Sequence, residues 1–337
     1  MKLRTMLTML GGTAAPTYVG AMRLLAPIHR AAWLAAAVKH GVLEAMRLGP
    51  RDLDELAEAL DAGPQGRELL RAWLRHGCLL GEISEDGDRY RLTGRLAKHM
   101  ADPAHAELAA FAEALVRIHV PAVYGALDHL RERRASDALD PALVARVAEM
   151  LAPALEEAIL RQVPIETPTK LLELGAGSAR HLRNAATQRP RLEAVGVELD
   201  EALVAQGRRE LGRAGVSDRA RLVQGDLRSL ELEATFDVVT LFNLIYYFPP
   251  AERADVIARA ARWVRPGGVL LLASSCRGGT LANNMMDLWF GSVRGAGPLP
   301  ERDAVLEALR GAGLAPDAPE RILPAEELYL FTARRPA

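Results

Sequence analysis

Apolar positions recur at helical spacing through the first half of the chain, and the pattern changes after Pro164. At 3.6-residue spacing, Leu24–Arg47, Leu53–Leu60, Gln65–Arg75, Leu108–Arg131 and Pro141–Val163 each gather apolar residues on one face, which predicts amphipathic helices. Two short runs, Leu79–Ser84 and Arg89–Leu92, flank Asp86-Gly87 and predict a β-hairpin. From Lys170 onward, short apolar runs alternate with amphipathic stretches. Strands are expected at Lys170–Leu174, Leu192–Glu198, Arg219–Gln224, Phe236–Leu241 and Gly268–Ser275. Helices are expected at Ser178–Gln188, Asp200–Ala214 and Pro250–Val264, the last stopped by Arg265-Pro266-Gly267-Gly268. This alternation builds a parallel sheet covered by helices on both faces. Glu320–Leu323 and Glu327–Thr332 lie too close for a helical crossover and predict an antiparallel hairpin.

Composition narrows the picture only a little. A chain of 337 residues, half of them apolar and a quarter charged, is globular and long enough for about two domains. Its net charge of −1 provides no overall field toward nucleic acid or an anionic membrane. The two cysteines, Cys78 and Cys276, are far apart and have no histidine at metal-ligand spacing, so neither a disulfide framework nor a zinc site is expected. A reducing, cytoplasmic setting follows. The Met1-Lys2-Leu3-Arg4 start and the apolar Met6–Leu10 run suggest a secretion signal, but Gly11-Gly12, Pro16 and Arg23 interrupt the apolar core such a signal needs. No uncharged apolar stretch approaches the ~18 residues of a membrane span.

The densest chemistry lies in Leu171-Leu172-Glu173-Leu174-Gly175-Ala176-Gly177-Ser178-Ala179-Arg180, a strand entering a glycine-rich turn that opens a helix. The glycines let the backbone turn sharply and let a ligand approach the helix N-terminus. A nicotinamide dinucleotide fingerprint would need a small residue where Arg180 stands, and Glu173 places a carboxylate where phosphate would sit. A cationic ligand with an amino group suits Glu173 better. Glu198 ends the second strand, 21 residues after Gly177, where doubly wound folds bind ribose hydroxyls, and Asp226 follows the third strand. Three carboxylates at successive strand ends mark one ligand crevice.

With these residues in place, the chain from 165 to 337 resembles the class I S-adenosylmethionine (SAM)-dependent methyltransferases. The resemblance implies a Rossmann-like α/β domain with a seven-stranded sheet whose last strand is antiparallel. It implies that Glu173, Gly175, Ala176 and Gly177 hold the methionine part of SAM, with Asn243 bordering it. Glu198 then binds ribose, Leu199 lies against adenine, Asp226 reaches the adenine amino group and Leu227 sits beside the ring. Ala179 departs from the pattern, because many members carry a third glycine there. The N-terminal order of helices and hairpin is that of a winged helix, and with it the chain resembles the two-domain small-molecule O-methyltransferases. The implied organisation is a winged-helix dimerisation domain over 1–105, a helical linker and substrate lid over 106–165, and a catalytic domain over 166–337.

That family's general-base histidine is missing, since Tyr246, Tyr247 and Phe248 align with its His-Asp-Trp signature. A phenol with a pKa near ~10 is a poor base at neutral pH. Tyr246 is therefore a candidate for orienting the acceptor, and His119, on an apolar helix with Tyr124, is the other catalytic candidate. Tyr124, Tyr247, Met285, Met286 and Trp289 are candidate acceptor contacts, and His181 could touch ligand. The expected activity is methyl transfer to a small apolar or aromatic metabolite by a homodimer, at oxygen or, with the histidine absent, at carbon or nitrogen. A regulator using the Arg67, Arg71 and Arg75 stripe on DNA, or a catalytically silent SAM binder, are the readings from other classes.

Overall fold

The computed structural model describes residues 19–132 and 140–337, so the apolar run weighed above as a signal lies outside the described residues. The chain divides into two compact units, one up to Arg117 and one from Ile118 to Ala337.

In the first unit, α1 (Leu25–Lys39) and α2 (Val42–Ala45) stand where one helix was expected, because Gly41 takes φ +72° and breaks the run. They are followed by β1 (Arg51–Asp52), α3 (Leu53–Ala59), α4 (Pro64–Leu79), β2 (Ile83–Asp86), β3 (Arg89–Leu92), α5 (Arg95–Ala101) and α6 (Ala106–Ala114). The Asp52 carboxylate accepts the Asp54 and Glu55 amides, and Glu55 returns a bond to the Asp52 amide, a reciprocal cap that fixes the start of α3. Leu79 belongs to α4 and not to the strand run expected over Leu79–Ser84. The helix continues until Gly81 turns the chain at φ +76°. The hairpin turns at Gly87 as expected, and β1 adds a third strand beside β3. Trp33 stacks on Trp73 with centroids 4.5 Å apart and donates its indole N–H to the Trp73 carbonyl. On the arginine stripe of α4, Arg67 pairs with Asp54 and Arg71 with Glu68, so two of its three charges are met within the unit.

The second unit begins within a π-helical turn over Leu115–His119 and contains α7 (Val120–Glu132), α8 (Pro141–Ala148) and α9 (Ala152–Gln162). A single helix was expected over Pro141–Val163. Pro153 has no amide hydrogen to continue the ladder, and the chain restarts as α9 after a 3₁₀ turn at Glu149–Leu151. The α/β part then runs β4 (Thr169–Leu174), α10 (Arg180–Gln188), β5 (Leu192–Glu198), α11 (Glu201–Arg213), β6 (Ala220–Gln224), β7 (Phe236–Phe242), α12 (Arg253–Arg262) and β8 (Val264–Ser275). It closes with α13 (Leu281–Ser292), α14 (Arg302–Gly311), β9 (Ala315–Pro316), β10 (Glu320–Arg321) and β11 (Leu328–Arg334).

The sheet order is β10-β11-β8-β7-β4-β5-β6, and β9 pairs with β11 off this path, so the sheet has eight strands where seven were expected. Strands β4 to β8 pair in parallel, and β11 runs antiparallel to β8 and to β10, which is the expected hairpin. From β4 the chain builds outward through β5 and β6 on one side and then crosses to β7 and β8 on the other. β4 therefore borders the point where the winding reverses, and ligands of such sheets bind outside the strand ends there. Leu171, Leu182, Leu222, Val238 and Leu271 fill the layer between sheet and helices together with Leu155 and Ile159 of α9.

Candidate functional site

The turn from β4 to α10 is held by the neighbouring strand. The Gly175 and Ala176 amides both donate to the Val197 carbonyl, at 2.9 and 3.0 Å, and the Gly177 amide donates to Glu198 Oε2 at 2.8 Å. Gly175 and Gly177 have φ of +71° and +53°, and Ala179 takes +62°, so all three lie in the left-handed region. A Cβ on Gly175 would press on Leu244 Cδ2 at 2.9 Å, whereas one on Gly177 would enter open space. That open space is part of a cleft of about 100 Å³ lined by Glu173, Gly175, Ala176, Gly177, His181 and Asn243, with Phe242, Arg180 and residues of α8 and α9 closing it.

The cleft floor carries unmet acceptors. Glu173 is 1% exposed; its Oε1 lies 2.7 Å from His181 Nδ1, while Oε2 is buried with no protein partner. Asn243, at φ +50° just past β7, likewise buries an unpartnered Oδ1. Two buried acceptors without donors call for a ligand donor, because a buried polar group left unpaired costs ~1–3 kcal/mol. Arg180 does not point its charge freely into the cleft: it bonds Glu149 and Glu156, and Asn184 donates to the same Glu156, which ties α10 to the preceding helices. Burial alone would lower the His181 imidazole, but the Glu173 carboxylate against it, with Glu156 behind, raises it above its ordinary value.

Glu198 is half-buried, and its Oε1 accepts the Leu199 and Asp200 amides at 2.8 and 3.0 Å, so this acid is a brace of the turn as well as a strand-end carboxylate. Asp226 Oδ1 accepts the Arg228 amide at 2.8 Å, and Leu227 is buried beside it, while Leu199 stands 61% exposed. The glycine turn, Glu173 and Asn243 share one cleft. Glu198 joins them through the Gly177 amide, and Asp226 lies at the neighbouring strand end.

The aromatic candidates form a second group. Tyr246 is buried against Phe290 and Tyr247, with centroids 4.4 and 5.4 Å away, and Trp289 packs on Phe290 at 4.5 Å. Burial, reinforced by Tyr247, raises the Tyr246 phenol well above its ordinary range, and burial with the Glu198 charge raises Tyr247. His119 faces Trp289 at 6.2 Å, and burial lowers its imidazole to about 4. It is therefore neutral at physiological pH and a weaker base than an ordinary histidine. Met285 and Met286 are half-buried on α13, whose start is fixed by Thr280 capping Asn283 and by Asn283 donating to the Cys276 carbonyl. Ser275 Oγ lies 3.8 Å from Met286 Sδ. Tyr124 does not join them: it is 86% exposed on α7, because the apolar positions Val120, Val123, Leu127 and Leu130 all lie on that open face. Phe242, which no sequence pattern marked, lines the cleft together with Arg180, and His181 bonds its central acid.

Residues 171–268 match the family model described as a methyltransferase domain. A carboxy-S-adenosyl-L-methionine synthase of Chromohalobacter salexigens is 36% identical over 79 residues, which cover 23% of this chain and 29% of that protein. The chain thus spans less than half the length of the synthases of this kind that it matches. The 3-hydroxy-5-methyl-1-naphthoate 3-O-methyltransferase of Streptomyces sahachiroi is 20% identical over 278 residues, covering 78% of this chain and 79% of that one. The solved structure of the mitomycin 7-O-methyltransferase MmcR shares the fold with a TM-score of 0.77 at 18% identity, across 96% of this chain and 99% of that one.

Proposed function

We propose that this chain, in which residues 171–268 form a methyltransferase domain, moves the S-methyl group of SAM to an oxygen of a small apolar or aromatic acceptor and works as a homodimer. The observation that carries this reading is the pair of buried, donor-seeking atoms in the cleft, Glu173 Oε2 and Asn243 Oδ1, beside a glycine turn with open space over Gly177. These atoms fit the ammonium of an amino-acid moiety. Glu198 holds the turn and offers its remaining lone pairs to ribose, and Asp226, Leu227 and Leu199 take the adenine end.

When bound, SAM supplies an electrophilic methyl group on a sulfonium leaving group. The chain's own residues then have to hold the acceptor in line, a contribution that effective-molarity arguments put at several kcal/mol, up to ~7–11. Tyr246, Tyr247, Trp289, Met285 and Met286 supply that wall in this reading. Proton removal falls to water or to the acceptor's own acidity, because the Tyr246 phenol is held protonated and His119 is a weak base. Carbon or nitrogen methylation is the second reading, favoured by the tyrosine standing where the related enzymes carry a histidine. Turnover of methyl-labelled SAM against a panel of phenols, enols and aromatic amines separates the two. No labelled product from any of them, with SAM bound, would leave only a silent binder. Homodimer formation is supported by the apolar face of α7 and by exposed Leu25 and Ile28 on α1. The cytoplasmic setting rests on two free thiols, and among the described residues no helix is long and apolar enough to cross a membrane.

A further inference from the structure

His181 and Glu173 are eight residues apart in sequence, and the β4–α10 turn brings their side chains to 2.7 Å inside the cleft. The acid is 1% exposed and the histidine side chain 18%, with its ring edge-on to Phe242 at 5.7 Å. One carboxylate oxygen is taken by the imidazole, and the other is buried and empty-handed on the same cleft wall as Asn243 Oδ1. Whatever cation reaches Glu173 Oε2 must therefore share that carboxylate with His181.

Resting on the reading of the cleft as a SAM site, we infer that His181 is a positioning residue that meters the charge of Glu173, and that docking of the cofactor's ammonium expels one proton from the pair. With the imidazole protonated, Glu173 is already neutralised and a second cation at Oε2 meets a like charge across one carboxylate. With Nε2 deprotonated, Nδ1–H still donates to Oε1 and fixes the acid, while the full negative charge is left for the ammonium. The balance is one imidazolium plus ligand giving neutral imidazole, complex and a proton released to buffer. The other charged groups around His181 are already engaged. Glu156 from α9 and Glu149 before it hold Arg180 on His181's own helix, and Arg183 further along α10 is paired with Glu210 of α11. From β7 the uncharged Phe242 meets the ring edge-on. Burial works against the imidazolium, but the Glu173 carboxylate, with Glu156 behind it, outweighs burial and raises the imidazole's affinity for a proton.

The test is calorimetry on the full chain with S-adenosylhomocysteine, which carries the ammonium, and with methylthioadenosine, which lacks it. Measurements run between about pH 6 and 7, below the ~7.7–8.0 at which an α-amino group releases its proton. S-adenosylhomocysteine should bind up to ~tenfold more tightly per pH unit, with heats that differ between phosphate and Tris as proton release requires. Methylthioadenosine should show neither effect. His181→Asn, which keeps a donor toward Oε1, should bind S-adenosylhomocysteine with a flat pH profile and no buffer dependence. Wild-type heats independent of buffer, an equal proton release with methylthioadenosine, or a pH slope surviving in His181→Asn would each overturn the inference. Absence of binding of either ligand at every pH would instead overturn the cofactor reading beneath it.

Discussion

At the scale of single residues, the two glycines of the turn make different demands. Gly175 combines φ +71° with Leu244 packed where a Cβ would go, whereas Gly177 combines φ +53° with open space. Left-handed backbone costs an L-residue ~1–2 kcal/mol, so Gly177→Ala should lower the melting temperature modestly and fold normally. It should still lose S-adenosylhomocysteine affinity by tenfold or more, since the methyl enters the cleft. Gly175→Ala should be the less stable of the two, because it adds overlap with Leu244 to the same backbone strain. Equal thermal shifts, or full affinity in Gly177→Ala by calorimetry, would contradict this division. Glu198 presents a related case. It accepts three backbone amides, those of Gly177, Leu199 and Asp200, besides its proposed ribose contacts. Charge-assisted bonds of this kind are worth ~1.5–3 kcal/mol, so Glu198→Ala should weaken cofactor binding roughly ten- to hundredfold. Glu198→Gln should recover little of that loss, because an amide cannot accept on both of its arms. Unchanged affinity in a folded Glu198→Ala protein would reject the pocket.

At the scale of elements, α13 and the turn after β7 carry the proposed acceptor wall, and that proposal predicts how catalysis responds to Tyr246. Tyr246→Phe preserves the ring packed on Phe290 and should keep most of the methyl transfer. Tyr246→Ala opens a cavity of the kind that costs ~3–5 kcal/mol and should lose far more. A ~10³-fold fall in kcat for Tyr246→Phe at unchanged cofactor affinity would assign its hydroxyl a direct part in proton transfer. His119 provides a pH signature. Its folded value near 4 lies below the ordinary 6.5, so folding favours the neutral form; stability is full above pH 6.5 and is lost as pH falls from 6.5 toward 4. Thermal melts should show that loss, and His119→Phe should show less of it. The strands at β4, β5 and β7 were legible because continuous Val and Leu runs end in turn residues, and the acids stood at their ends. The Gly41 break, the two-residue strands β1 and β9, and helices α13 and α14 were not, because they depend on neighbours distant in sequence. The His181–Glu173 contact was hidden for the same reason: neither spacing nor periodicity shows how a left-handed turn at Gly175, Gly177 and Ala179 aims two side chains.

At the scale of the whole molecule, the helical positions read from the sequence placed His119 and Tyr124 on one apolar helix, but not which side of it is covered. Val120, Val123, Tyr124, Leu127 and Leu130 are between 57% and 86% exposed, and they recur at three- and four-residue steps along α7. A ridge of this kind is costly to leave in water, at ~25 cal/mol per Å² of apolar surface. Its simplest cover is the same ridge of a second copy, since a two-fold interface brings one patch onto itself. Light scattering behind size exclusion should therefore report a dimer at micromolar concentration. A Leu127→Glu, Leu130→Glu double variant should run as a monomer with an unchanged circular dichroism spectrum, because both side chains lie outside the core. High salt should leave the wild-type dimer intact, as the contact is apolar and not ionic. A wild-type monomer, or a variant that stays dimeric, would place the partner surface elsewhere and leave the α7 ridge without the role assigned to it.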